Sequence, residues 1–309
     1  MSDERNGGAG ANASIVGTIL VVFSAALFGT TGTALAQVPG SIDPLSSGTL
    51  RLLVGGGALA LVAWRQRSTV RGSWRPLLVG AVGVAVYQLG FFWAVTDTGV
   101  AAGTLVTIGI SPVASRVIGA VLGRPAPPRS WYVAASILLV GLTVMILGGY
   151  DDVDLSAPGV LVALLAGMSF AAYTECGARA LARGVSPDAA MATLFFGAGV
   201  ITSPLLLWRG VEIVTSLRGV VVLAHLALVT LTIAYMAFGR GLRRLTPTVV
   251  TTLTIVEPVV ATSLSFLVLN EDFSAVGWIG AATVVVGLPV VGLSSRSTRP
   301  NLPTGTVRP

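Results

Sequence analysis

The chain has 309 residues, of which 53% are apolar and only 10% charged, and its mean hydropathy is +0.85. A water-soluble chain carries about 25% charged residues, so this composition excludes a soluble globular protein and indicates that most of the exterior faces lipid. The formal net charge is +6 and every basic residue is an arginine; most of the arginines lie in segments between or beside apolar runs, which favours a positive-inside bias over nucleic-acid binding.

Apolar runs of about 20 residues, the length of a membrane-spanning helix, recur along the whole chain. They predict an all-α membrane protein with ten transmembrane helices. The flanking segments 1–14 and 295–309 are rich in Gly, Ser, Pro and Asn and are predicted to be disordered cytoplasmic tails. The ten predicted spans are residues 15–36, 45–64, 77–95, 101–122, 131–147, 158–178, 189–208, 220–239, 246–269 and 275–293.

A long internal repeat divides the spans into two groups of five. The motif Ser111-Pro112-Val113 recurs 146 residues later as Glu257-Pro258-Val259, and Gly141 recurs as Gly287. A repeat of this length indicates a duplication, with one unit at 15–148 and the other at 158–293. Because each unit has an odd number of spans, the second enters the bilayer upside down. The sequence therefore predicts two inverted five-helix repeats.

Charge predicts the orientation of these spans. The loops on one side of the membrane hold only two arginines, Arg209 and Arg218, together with most of the acidic loop residues. By the positive-inside rule both termini are cytoplasmic, and the chain is predicted to be a multi-pass protein of the plasma membrane. The arginines of the other side are Arg5, Arg65, Arg67, Arg71, Arg75, Arg124, Arg129, Arg179, Arg183, Arg240, Arg243, Arg244, Arg296, Arg299 and Arg308.

With this duplication, the chain resembles the drug/metabolite transporter superfamily, specifically the ten-helix EamA-like proteins with two EamA repeats. The resemblance also rests on Arg51 opening the second span, on Pro112 and Pro258, and on Glu271 closing the ninth span. The chain departs from the family at Arg124, where an acidic residue commonly ends the fourth span. The resemblance implies transport of a small solute, often export, through a cavity lined by the first, third, fourth, sixth, eighth and ninth spans.

Glu257 is the strongest candidate site residue because it lies about halfway along the ninth predicted span. An ionised carboxylate there costs several kcal/mol unless it is neutral, paired or wetted by a cavity. We therefore expect Glu257 to bind a cationic group of the solute or to carry a coupling proton. A protonated side chain bonded to a neighbouring helix is the structural alternative.

The fourth and ninth spans supply the next candidates. Thr107, Ser111 and Ser115, which follow Thr104 at intervals of three or four residues, share one helical face. They are interpreted as a cavity wall, although small hydroxyls also bond neighbouring helices. Pro112 and Pro258 are interpreted as matching helix breaks, which in inverted repeats point to the solute site.

Several further polar residues within spans are weaker candidates. Tyr87, Gln88 and Tyr173 lie deep enough to line a pocket. Glu175 and Arg116 either reach the cytoplasmic interface or pair inside a cavity, and Arg51 is expected to anchor the second span at the outer surface. The single histidine, His225, either shuttles protons or is a buried neutral imidazole.

The predicted function is an alternating-access secondary transporter, an exporter of a small polar or amphipathic metabolite, with proton coupling through Glu257 or facilitated diffusion as its drive. No phosphate-binding loop of the G-x-x-x-x-G-K-[ST] kind occurs, and no cofactor or metal is expected. A membrane sensor or scaffold without transport is the alternative. An intramembrane enzyme is disfavoured because no nucleophile or acid-base cluster occurs. The expected partners are the small-molecule substrate and the lipid bilayer, and a homodimer is left open.

Overall fold

The structure, a computed structural model, describes residues 2–38, 43–149 and 156–294, and every regular element within these ranges is helical. Ten apolar helical segments, called spans 1 to 10, follow one another within these ranges; nine are long and apolar enough to cross a membrane, and the seventh, with 16 residues, is shorter. Spans 3 and 4 are the two parts of one long helix, Trp74–Val121. The others are span 1 (Ser2–Leu35), span 2 (Pro44–Val62), span 5 (Arg129–Gly149), span 6 (Ala157–Ala182), span 7 (Pro187–Thr202), span 8 (Leu217–Leu242), span 9 (Pro247–Leu269) and span 10 (Ala275–Ser294).

Polar residues fix where several spans begin. Asp43, Ser156, Ser186 and Ser216 each accept a hydrogen bond from a backbone N–H of the first helical turn. This satisfies donors that would otherwise be unpaired at a helix start. In the first three cases a proline follows within two residues, where its fixed φ suits the helix and its missing N–H costs nothing.

The chain passes from span 3 to span 4 without a loop. The helix Trp74–Val121 is broken only at Gly99, whose φ of 80° and ψ of 161° suit glycine but strain other residues. Span 4 itself runs through Pro112 as a continuous helix, so the predicted helix break at Pro112 is not observed. Span 9 is broken as predicted, between Leu253 and Val256.

Proline chemistry explains the break in span 9. Pro258 has no N–H to donate to the carbonyl of Thr254, and its ring would clash with that carbonyl in a straight helix. The backbone N–H of Glu257 donates to the Thr254 carbonyl instead, at 2.9 Å, so the turn tightens. Glu257 therefore lies in the first turn of the second helix, Val256–Leu264.

The structure differs from the predicted elements in three places. The seventh predicted span, 189–208, is a helix that ends at Thr202 and a separate short helix, Leu205–Arg209, because Pro204 cannot continue an α-helix. Span 1 begins at Ser2, so the backbone described in the predicted N-terminal tail is helical; extending a formed helix is easier than starting one. The arginine-rich loop after span 2 is a 3₁₀-helix, Trp64–Ser73. The predicted C-terminal tail lies outside the described residues.

The two halves pack as inverted repeats. Spans 5 and 10, which correspond in the repeat, pack on each other, and so do spans 2 and 7. Span 1 packs on spans 8 and 9, and span 6 packs on spans 3 and 4, which is the same relation with the halves exchanged. We call the end of the bundle with Arg65, Arg124, Arg179 and Arg240 the arginine-rich end, and the end with Asp43 the arginine-poor end.

Candidate functional site

A cavity of about 350 Å³ lies between the two halves. Spans 1, 2, 3 and 4 line one side and spans 6, 7, 8 and 9 the other. Leu35, Pro44, Val95 and Val100, which lie at the arginine-poor ends of the first four spans, are part of the lining. The cavity therefore extends from the middle of the bundle toward the arginine-poor end. Spans 2 and 7 also line the cavity, although the family resemblance did not imply them.

The two ionisable groups of opposite charge in this lining are Glu257 and Arg51. Both residues are partly exposed, and no N–O distance between their side chains is within the 4.0 Å of an ion pair. One Nη of Arg51 donates to the backbone carbonyl of Thr230 at 3.0 Å, whereas its buried Nε has no partner. The carbonyl of Thr230 thus holds the guanidinium inside the bundle, where it is not ion-paired with the carboxylate of Glu257.

Aromatic rings close the inner part of the cavity. The rings of Phe195 and Tyr235 are 3.7 Å apart between centroids, and Phe28 lies 4.8 Å from Tyr235. The hydroxyls of Tyr173 and Tyr235 are 3.3 Å apart, and both residues are buried. An apolar wall with a few polar groups is typical of sites for small organic molecules.

Five of the predicted site residues line this cavity: Glu257, Pro258, Tyr87, Gln88 and Tyr173. Gln88 is buried, and its Nε2 atom packs close to Gly48, where a Cβ atom would lie 2.4 Å away. Thr104 also lies in the lining. These residues come from spans 3, 4, 6 and 9, so the repeat brings distant parts of the chain to one place.

The cavity wall predicted from the hydroxyl residues of span 4 is corrected beyond Thr104. Thr107 donates to the carbonyl of Ala163 at 3.2 Å, Ser111 donates to the carbonyl of Thr107 at 2.7 Å, and Ser115 contacts the hydroxyl of Thr248 at 3.3 Å. The side chains of Thr107, Ser111 and Ser115 are all buried. They tie span 4 to spans 6 and 9, because in a dry helix contact a hydroxyl needs a nearby acceptor.

Glu175 lies toward the arginine-rich end, outside the cavity. Its buried carboxylate is 2.5 Å from a guanidinium nitrogen of Arg124 and 3.6 Å from one of Arg179. Two arginines thus compensate the burial of one carboxylate. The contact with Arg124 also joins span 6 to the segment after span 4.

Arg116 and His225 are also outside the cavity lining. The Nε of Arg116 donates to the Tyr132 hydroxyl at 3.1 Å, on an exposed face between spans 4 and 5. The Nε2 of His225 lies 2.9 Å from the hydroxyl of Thr30, which joins span 8 to span 1. The position of Arg116 favours its structural alternative, whereas His225 is half-buried rather than buried and bonds a neighbouring helix.

Sequence reasoning missed part of the site. Arg51 was interpreted as a surface anchor, yet its side chain turns into the cavity, and Phe28, Phe195 and Tyr235 were not considered as lining residues. A charged residue well inside a span was the available signal for Arg51. The aromatic residues gave no signal, because Phe and Tyr occur both at lipid-facing positions and in the lining of cavities.

Comparison with known proteins yields a family and relatives. The sequence model of the EamA-like transporter family matches residues 15–147 and again 157–293. The chain is 32% identical over 284 residues to the uncharacterized transporter YwfM of Bacillus subtilis (strain 168), covering 91% of this chain and 95% of that protein. It is also 30% identical over 235 residues to an uncharacterized protein of Corynebacterium glutamicum, covering 73% of this chain and 67% of that protein.

A solved crystal structure has the same fold. It superposes with a TM-score of 0.77, covering 91% of this chain and 98% of the solved chain, at 20% sequence identity. At this level of identity the likeness concerns the fold alone. Among the described residues, no group of three or more His, Cys, Asp or Glu side chains is placed to hold a metal ion.

Proposed function

Because the chain belongs to the EamA-like transporter family, we propose that it is an alternating-access secondary transporter that exports a small polar or amphipathic metabolite across the plasma membrane. Its termini are cytoplasmic in this proposal, since the arginine-rich end then faces the cytoplasm. The observation that carries the proposal is the cavity between the inverted halves, with Glu257 and Arg51 inside it.

The shape of the cavity supports alternating access. It extends toward the arginine-poor end, while buried hydrogen bonds of Thr107, Ser111 and Ser115 hold spans 4, 6 and 9 together nearer the arginine-rich end. A protein with one closed and one open end corresponds to one state of a carrier. Exchanging the arrangements of two inverted repeats would open the opposite end.

Glu257 supplies a reason for coupling. In the open state its carboxylate can be hydrated by water in the cavity. When the cavity closes, an ionised and unpaired carboxylate would cost about 3 kcal/mol at the middle of a membrane. Closure is therefore favoured when Glu257 holds a proton or a cationic group of the cargo, and Arg51 offers a site for an anionic or hydrogen-bond-accepting group of the same cargo.

The test begins by finding the cargo. Metabolites inside cells and in the medium are compared between a strain lacking the gene and a strain overproducing the protein. The exported compound is then loaded into proteoliposomes, and its transport is measured with and without a proton gradient. For wild type we expect the proton gradient to accelerate transport, and for Glu257→Gln we expect the rate to fall to the rate without a gradient, because the amide does not titrate.

Glu271→Gln is the matched control, since Glu271 is an exposed carboxylate at the end of the same span. It should keep the dependence on the proton gradient. Wild-type, gradient-dependent rates in Glu257→Gln would rule out a titrating role of this residue. If no compound changes between the strains and none crosses the proteoliposome membrane, the transporter proposal itself is contradicted.

A further inference from the structure

The segment Trp64–Ser73, between spans 2 and 3 at the arginine-rich end, is a 3₁₀-helix of 10 residues. Runs of this helix longer than 3–4 residues are uncommon, so contacts with the rest of the protein must support it. Val70 packs against the hydrophobic core and Ser73 is buried. The hydroxyl of Thr69 accepts a hydrogen bond from the backbone N–H of Ser186 at 3.3 Å. The segment is therefore docked on the bundle.

Docking leaves one line of arginines facing outward. Residues three apart eclipse each other in a 3₁₀-helix, and the guanidinium of Arg67 accordingly lies 4.1 Å from the ring of Trp64. Trp64, Arg67 and Val70 form one line, of which Val70 reaches the core. Arg65 and Arg71 belong to a different line, both are exposed, and they are separated by about 12 Å along the helix axis.

The charges of Arg65 and Arg71 are not neutralised by the protein. Within the described part of the chain, no carboxylate oxygen lies within 4.0 Å of either guanidinium. The two arginines at the arginine-poor end are engaged: Arg209 pairs with Asp43 at 2.8 Å and Arg218 donates to the Gln37 side chain at 3.3 Å. The 64–73 segment thus offers two donors that lack an internal acceptor.

Two tryptophans set the depth of this segment. Trp64 and Trp74, at its two ends, are 58% and 53% exposed. Exposed tryptophans next to a membrane span settle at the level of the lipid headgroups. Arg65 and Arg71 are therefore held at the depth where lipid phosphates lie, and a guanidinium binds a phosphate with strong charge-assisted hydrogen bonds.

We propose that the 64–73 segment binds the headgroups of anionic phospholipids, with Arg65 and Arg71 each as a ligand of a lipid phosphate. The occupant is a lipid rather than a soluble acidic partner because the two tryptophans place the arginines inside the headgroup layer. The site goes beyond a general positive-inside bias, since it assigns lipid binding to one docked segment and not to all arginines of this end.

The experiment is a lipid titration of the purified full-length protein in detergent, followed by native mass spectrometry. The probes are phosphatidylglycerol and, for comparison, phosphatidylcholine. Wild type should retain phosphatidylglycerol in preference to phosphatidylcholine. The double variant Arg65→Gln/Arg71→Gln should bind phosphatidylglycerol about tenfold more weakly or worse, since each lost guanidinium–phosphate contact weakens binding severalfold.

The control removes the same charge from the same end. Arg183 and Arg243 are exposed arginines outside the segment, and Arg183→Gln/Arg243→Gln should keep wild-type affinity. Because all four side chains are exposed, both variants should melt at the wild-type temperature without added lipid. Equal loss in both double variants, or no preference of wild type for phosphatidylglycerol, would overturn the proposal. Neither outcome depends on whether the protein transports a solute.

Discussion

The surroundings of Glu257 and Arg51 leave both side chains able to bind a ligand. Burying a lone charge is unfavourable, so a charged residue inside a span must be wetted, paired or neutral. In this protein the carboxylate and the guanidinium line one cavity without forming an ion pair, and only the guanidinium has a fixed backbone partner, the carbonyl of Thr230. Both charged groups can therefore bind a solute in the cavity. Glu175 cannot, because its carboxylate already binds Arg124.

Asp43, outside the spans, gives a prediction for pH dependence. Burial raises the pKa of its carboxyl group, but hydrogen bonds from Ser46 and from Arg209, with the Arg209 charge, outweigh burial and lower the pKa. A group with a lowered folded-state pKa stabilises fully above its unfolded pKa of about 3.9 and loses this effect as the pH falls through the folded value. Asp43→Ala should therefore lower the free energy of unfolding by about 1 kcal/mol at pH 7, and by less near pH 3.

Thermal unfolding in detergent at the two pH values measures this difference. Ser216→Ala is the control, because the Ser216 hydroxyl caps span 8 through the N–H of Gly219 and does not titrate. Its loss of stability should be the same at both pH values. A pH-independent loss in Asp43→Ala would contradict the assigned role of the Asp43 charge.

At the scale of helices, close packing of spans 5 and 10 depends on glycine. A Cβ atom on Gly280 would lie 2.2 Å from the backbone N of Met145, and one on Gly141 would lie 2.9 Å from the backbone N of Val284. Inside lipid, helices associate through such close van der Waals contacts rather than through expulsion of water. Gly32 is different, because a Cβ atom there would meet nothing within 4 Å.

This contrast gives a prediction for two identical substitutions. Gly280→Ala should destabilise the protein by roughly 1–3 kcal/mol, since backbone atoms must move apart. Gly32→Ala should be neutral or stabilising by up to about 1 kcal/mol, since a mid-helix glycine is replaced without a clash. Melting temperatures in detergent compare the two variants, and an equal loss in both would be evidence against close contact between spans 5 and 10.

The number of spans and their grouping could be predicted from the sequence, because hydrocarbon about 30 Å thick imposes the length of each apolar run. Exact ends could not, as Pro204 shows by splitting a single apolar run into two helices. The rotation of each helix was the harder problem. A shared helical face does not say what that face contacts, so the sequence could not tell whether Thr107, Ser111 and Ser115 face the cavity or the neighbouring spans 6 and 9.

At the scale of the whole molecule, only those lining residues could be predicted whose polar side chains would be unfavourable in contact with lipid. Glu257, Tyr87 and Gln88 were identified because polar groups deep in a span need a partner or water. Phe195 and Tyr235 were not, because their place in the lining depends on how spans 7 and 8 pack on each other within the second half. That arrangement is a property of the assembled bundle.

The orientation of the whole molecule can be tested with its only cysteine. Cys176 follows Glu175, whose ion pairs with Arg124 and Arg179 lie at the arginine-rich end. In intact cells Cys176 should react with a membrane-permeant maleimide and resist an impermeant one added outside. Thr215→Cys in a Cys176→Ser background is the control, since Thr215 is exposed near the opposite end, and it should react with both reagents. Rapid reaction of Cys176 with the impermeant reagent would reverse the assigned orientation.

Gly99 alone connects spans 3 and 4, without a loop between them. These spans share one helix, Trp74–Val121, interrupted by a single residue with a positive φ. The φ and ψ angles of Gly99 therefore set the angle between spans 3 and 4, which both line the cavity. We therefore expect a change in the tilt between these two spans to require rotation about the φ and ψ angles of Gly99.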